Sequence, residues 1–200
     1  MTTRICIVLD ETGSMGSVKE KTVEGIRNYF AEVRSLPDCV FSLLKFNSFR
    51  TVFSYHSMPA AQAPENIDYT PDGMTPLYDA IGHAISSLAS QLNAGDKAVL
   101  VIQTDGHENY SKEFTKADIL KLISDKRSQG WQVLFLGTNI DVYGVAESLG
   151  VDRRSTMQYA DKLVDKAFQG AGAVTRNFAS GVSGQAVFSA EHRRSAGDNS

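Results

Sequence analysis

The sequence predicts an α/β protein built on an open, mostly parallel sheet of about six strands with helices on both faces. Three observations predict it. Short, continuous apolar runs such as "RICIVLD" (4–10) and "KAVLVIQTD" (97–105) have the composition of strands buried on both faces. These runs alternate with segments whose apolar residues recur at helical spacing. One connection, "NSFR" (47–50), is too short for a crossover, so a single antiparallel pair is expected within the sheet. The chain has 200 residues, of which 42% are hydrophobic, enough for one domain with a substantial core.

The elements follow in order. The first strand, 4–10, leads to a helix. Ser17 and Glu20 have the spacing of a capping box, and Val18, Val23, Ile26, Phe30 and Val33 supply a buried stripe before Pro37. "CVFSLLKF" (39–46) is the second strand, and "TVFSYH" (51–56) the third, antiparallel to it. A proline-containing loop ends in "TPDGMTP", where Pro76 suits the first turn of a helix and Thr75 its N-cap. Leu77, Ile81, Ala84, Ile85, Leu88 and Leu92 carry that helix's apolar stripe. Residues 97–105 form the fourth strand, 115–129 a helix, 131–138 the fifth strand, and 141–149 a short helix stopped by Gly150. "STMQY" (155–159) is a short sixth strand at the edge. A last amphipathic helix follows, with Gly170 and Gly172 weakening its middle. The domain is expected to span 1–180, and 181–200 to be a loose polar tail. Right-handed crossovers then favour the strand order 3-2-1-4-5-6.

That order reverses direction between strands one and four, and ligands in such sheets bind beyond the carboxyl ends of the strands at the reversal. Asp10 ends strand one in "VLDETGSMGS", and Asp105 ends strand four in "QTDGHEN". Thr12 and Ser14 follow Asp10 at alternate positions, and Thr75 opens the helix leading into strand four. Asp10, Thr12, Ser14, Thr75 and Asp105 are all hard oxygen donors. Such a set suits Mg²⁺ or Mn²⁺, with Ca²⁺ also admissible, and argues against zinc or copper. Two carboxylates and three hydroxyls leave a divalent ion short of ligands, so water or an outside oxygen must complete the shell. Each segment alone is an ordinary turn or cap; the case rests on the topology bringing them together.

These segments resemble the metal-ion-dependent adhesion site (MIDAS) of von Willebrand factor type A domains. The family pattern is Asp-x-Ser-x-Ser after strand one, a Thr in a later loop and an Asp after strand four. Here these match Asp10-Glu11-Thr12-Gly13-Ser14, Thr75 in "DGMTPLYDAI" and Asp105 in "TDG", with Thr12 standing where Ser is commoner. The resemblance covers about residues 3–160. It implies a Rossmann-like fold in which Ser14, Thr12 and Thr75 hold the metal through hydroxyls, while Asp10 and Asp105 act directly or through water. It also implies a partner protein whose Asp or Glu completes the coordination. Intracellular members of the family often serve as adaptors, some with AAA+ ATPases, and a compact chain without a membrane anchor fits a bacterial or bacteriophage member.

Other classes fit less well. The net charge of −3 offers no basic surface for nucleic acid or anionic lipid. No apolar run approaches a membrane span, and "MTTRICIVLD" lacks a signal-peptide pattern. Cys6 and Cys39, the only cysteines, read as buried free thiols, which fits a cytoplasmic setting. His107-Glu108 begins like a zinc-protease motif, but Ser111 stands where the second histidine is needed, leaving Glu108 as a solvated rim residue. "LDETGSM" also resembles the nucleophile motif of haloacid dehalogenase-type phosphoryl transferases, with Asp10 attacking beside Mg²⁺. That reading lacks an inserted flap and a matching lysine, and it gives "DGMTP" no role. A structural or assembly subunit with a non-essential metal site is the remaining alternative. The sequence therefore predicts a binding protein, not an enzyme.

Overall fold

The computed structural model describes all 200 residues. Its strands are β1 (Thr3–Asp10), β2 (Cys39–Phe46), β3 (Thr51–Pro59), β4 (Lys97–Thr104), β5 (Gln132–Gly137) and β6 (Thr156–Gln158). Its helices are α1 (Lys19–Val33), α2 (Leu77–Gln91), α3 (Lys116–Ser128), α4 (Val142–Ser148), α5 (Val164–Ala179) and α6 (Ala190–Ser195). The six strands lie in the order β3-β2-β1-β4-β5-β6, as the sequence predicts. Only β2 and β3 pair antiparallel.

Strand alternation sends successive residues to opposite faces, and each face has its own core. Ile5, Ile7, Leu9, Val99 and Val101 pack with α1 and α5. Cys6, Val8, Leu100 and Ile102 pack with α2, α3 and α4. Cys6 and Cys39 are buried free thiols on neighbouring strands, and burial pushes each up to about 12. The helix pair α1–α5 is close because glycines stand at the crossing. A Cβ at Gly25 would lie 2.6 Å from the Phe168 ring, and one at Gly172 would lie 2.9 Å from Glu32 Cβ. Gly172 therefore permits close packing where its low helix propensity alone predicts a weak point. No helix is long and apolar enough to cross a membrane.

Three local expectations are corrected. Ser17 does not cap α1: residues Gly13–Val18 form a tight 3₁₀ segment, and α1 begins at Lys19 with no side-chain cap. Thr75 does not cap α2 either, because the helix starts one residue later, with Pro76 at the N-cap position. The segment after 180 is not loose. Ala186, Phe188 and Ala196 are buried in the α1–α5 core, and α6 carries its own capping box through Ser189. Arg193 Nη1 donates to Asp198 at 3.0 Å and to the Thr156 carbonyl at 2.7 Å, which fastens the segment along the short edge strand β6. Composition made this segment look solvated. Its few apolar residues and one buried ion pair are enough to dock it.

Candidate metal centre

The parallel register places Thr3 to Leu9 of β1 opposite Lys97 to Gln103 of β4. Asp10 and Asp105 therefore emerge at the same end of the sheet, where the topology reverses. The Asp10 side chain is fully buried. Its Oδ1 accepts from the Thr12 backbone N–H at 2.8 Å, and its Oδ2 accepts from the Thr104 hydroxyl at 2.6 Å. No lysine, arginine or histidine side chain pairs with it. Burial pushes its carboxyl up to about 6, against the pull of the Thr104 and Thr12 hydrogen bonds.

Ser14 is exposed, and its hydroxyl donates to Asp105 Oδ1 at 2.7 Å. The Thr12 hydroxyl lies 3.3 Å from Ser14 Oγ. Burial also holds Asp105 above the usual carboxylate range, opposed by the Ser14 donor and reinforced by the charge of Asp161. Thr75 reaches the same place from the other loop. A Cβ at Gly106 would come within 3.3 Å of Thr75 Oγ1 and 3.9 Å of Ser14 Oγ, so the glycine leaves a cradle facing both hydroxyls. All five residues expected from the sequence thus converge. The arrangement offers hydroxyl and carboxylate oxygens with no basic side chain paired to the carboxylates, and Ser14 at the exposed end, which fits a small divalent cation with hard-donor preference.

Several supporting residues escaped the sequence reading. Glu11, between Asp10 and Thr12, is completely buried. Its Oε1 accepts from Lys45 Nζ at 2.9 Å and from the Thr70 N–H at 2.8 Å, and its Oε2 accepts from Arg50 at 3.1 Å. Its carbonyl accepts from the Asp72 N–H at 3.0 Å. Glu11 thereby ties the loop carrying Thr75 to β2 and to the Asp10 loop. The signal was available: a lysine inside the apolar run "FSLLKF" requires a buried acidic partner. Asn109 holds Thr75 from both sides, accepting from its N–H at 2.8 Å and donating to its carbonyl at 3.1 Å. Glu108 is not a solvated rim residue. Its carboxylate accepts from the N–H groups of Tyr78, Tyr110 and Ser111 at 2.9, 2.7 and 2.7 Å, placing negative charge at the start of α2. The Gly73 N–H and carbonyl fasten the loop tip, which turns through φ +76°, and its carbonyl accepts from the Gly13 N–H at 3.0 Å.

Fold and donor set together define an α/β sheet protein with a cluster of oxygen donors at its topological switch point. Residues 5–169 match the von Willebrand factor type A domain, and the chain belongs to that family. No curated protein matches it by sequence. Among solved structures, the von Willebrand factor domain of the type V pili tip protein Mfa5 from Porphyromonas gingivalis is similar at 9% identity and a TM-score of 0.69. The alignment covers 91% of this chain and 96% of that one. Proximal thread matrix protein 1 from the mussel byssus, with a zinc-occupied MIDAS motif, is similar at 13% identity and a TM-score of 0.66, over 88% of this chain. This chain spans about half the length of the byssal protein, 46% being covered. Manganese-loaded TRAP protein from Plasmodium vivax is similar at 16% identity and a TM-score of 0.59, covering 84% of this chain and 73% of that one. At these identities the likeness is one of fold. The zinc in the byssal protein shows that a site of this type accepts zinc there, so donor hardness alone is too strict a filter against it.

Proposed function

We propose that the chain is a metal-dependent protein-binding domain in which Asp10, Thr12, Ser14, Thr75 and Asp105 hold Mg²⁺ or Mn²⁺. The carrying observation is the convergence of three hydroxyls and Asp105 on one cradle, with the buried Asp10 behind them and no basic side chain paired with either carboxylate. Ser14, Thr12 and Thr75 supply neutral oxygens, which leave most of the ion's charge unquenched. Asp10 and Asp105 orient that shell, directly or through water. The bound ion would supply a Lewis-acidic position for an oxygen from outside, and an Asp or Glu of a partner protein is the ligand of matching hardness. The zinc-occupied MIDAS motif named for the byssal protein and the manganese loading named for the Plasmodium protein support a divalent metal here. The five residues serve binding in this reading, not catalysis. Two buried free thiols fit a reducing cytoplasmic setting.

Calorimetry tests the metal, and affinity capture tests the partner. The wild-type chain should bind one Mn²⁺, and Ser14→Ala should weaken that binding at least ten-fold, about 1.4 kcal/mol, while keeping the fold. A partner captured in Mg²⁺ should be released by EDTA. A partner indifferent both to EDTA and to Thr75→Ala sinks the reading.

A further inference from the structure

The rim of the metal centre is lopsided. Seven large hydrophobic residues are exposed on this chain, and three of them, Phe49, Met74 and Tyr110, come from the three loops on one side of the cradle. Phe49 is the most exposed of the three at 73%. It sits at the β2–β3 turn, against the loop tip: a Cβ at Gly73 would come within 2.8 Å of the Phe49 ring and 2.5 Å of Ser48 Oγ. Ser48 Oγ accepts from the Met74 N–H at 2.9 Å, and Gly73 is bonded in turn to Gly13, between Thr12 and Ser14. The apolar rim is therefore continuous with the metal loops.

Beside it runs an open groove of about 330 Å³, lined by Phe49, Arg50, Pro76, Tyr110 and Lys112 among others. Its charges are unequal. Arg50 is engaged by Glu11, and His83 lies 3.3 Å from Glu113. Both Asp79 oxygens accept from backbone N–H groups of residues 112–114. Lys112 is exposed, stands 4.7 Å over the Tyr110 ring and has no acidic partner. Among the groove's cations it alone is left to meet an anion from outside. A backbone passing from the cradle into this groove would meet a metal, then apolar surface, then a positive charge.

Resting on the metal-dependent reading above, we infer that the groove receives an extended acidic–apolar segment of the partner protein. One Asp or Glu of that segment reaches the ion, an apolar side chain packs on Phe49, Met74 and Tyr110, and a second acid pairs with Lys112. The metal-bound acid confers metal dependence; the groove confers sequence preference. An apolar anchor in a partly desolvated site beside a polar contact is the usual basis of such selectivity.

The test uses a displayed library of short random peptides carrying one fixed Asp, bound to the full chain in Mg²⁺ and eluted with EDTA. The expected pool is enriched in an apolar residue and a second acid on one side of the fixed Asp. Selection on Phe49→Ser/Lys112→Ala, both exposed positions, should lose that enrichment and keep EDTA elution. Individual selected peptides should bind the double variant roughly ten-fold more weakly or worse. An EDTA-eluted pool with no neighbour preference, or with the same preference on the double variant, overturns the groove and leaves the metal-dependent reading intact. No EDTA-eluted pool at all overturns both.

Discussion

Two buried carboxylates stand side by side at residues 10 and 11 and meet opposite surroundings. Glu11 is met by Lys45, Arg50 and a backbone N–H. Asp10 is met by a hydroxyl and a backbone N–H, with Asp105 nearby and no basic side chain. A buried charge supplied with its partners belongs to the scaffold, and its worth lies in fixing where loops go. A buried charge without a counter-charge costs stability until a cation arrives, and such a deficit marks a site with work to do. One residue of sequence separates the two roles because the strand sends Asp10 toward β4 and the chain then turns Glu11 under the loop of residues 68–73.

The largest effect expected from breaking this contrast is on the compensated side. Lys45→Met leaves Glu11 buried with part of its partnership gone, and it should destabilise the domain by about 3 kcal/mol. Urea unfolding measures this. Adding Glu11→Gln to the same chain should recover part of the loss, since the stranded charge goes with it. A Lys45→Met variant as stable as wild type would mean that the pair does not hold the loops.

The uncompensated side should respond with the opposite sign. In EDTA, burial has raised Asp10 from 3.8 to about 6, so the folded chain holds more protons than the unfolded chain between those values. Stability should then fall as pH rises through that window, by about 3 kcal/mol from this group. Asp10→Asn should flatten the slope and leave the metal-free protein at neutral pH at least as stable as wild type. The Thr104 hydroxyl, which already accepts from the Gly106 N–H at 3.2 Å, can turn to accept from the new amide. Mn²⁺ should stabilise wild type and not the variant. Denaturant titrations at pH 4 to 7, with and without Mn²⁺, read both effects; a flat wild-type profile in EDTA would contradict the account of Asp10.

Thr75→Ala should have the smallest effect on the fold. Its hydroxyl caps no helix, so unfolding free energy should stay within about 0.5 kcal/mol of wild type. Mn²⁺ affinity should drop roughly ten-fold. A large loss of stability would assign Thr75 to the scaffold with Glu11.

Much of this was legible from residue order. The apolar runs at 4–10 and 97–105 identified two strands buried on both faces, and their place in the βα alternation made them neighbours. The five oxygen donors followed from that adjacency. Glu108 was misread as solvated because nothing local shows that its carboxylate meets the N–H groups of Tyr78, Tyr110 and Ser111. Ser17 and Thr75 were misread as caps because both have capping composition. A tight 3₁₀ turn and Pro76 take those positions instead.

By itself, then, the sequence determined the strand order, the end of the sheet where the oxygen donors gather and the chemistry of those donors. Periodicity, crossover handedness and oxygen hardness are properties of residue type and spacing. Only the tertiary structure decided which charges are compensated. It paired Glu11 with Lys45 across 34 positions, left Asp10 without a basic side-chain partner, and set Phe49 against Gly73 beside the cradle. It also docked the last residues through Arg193 and Asp198. These outcomes depend on which distant side chain shares a few ångströms of low-dielectric space, and chain order does not encode that distance directly.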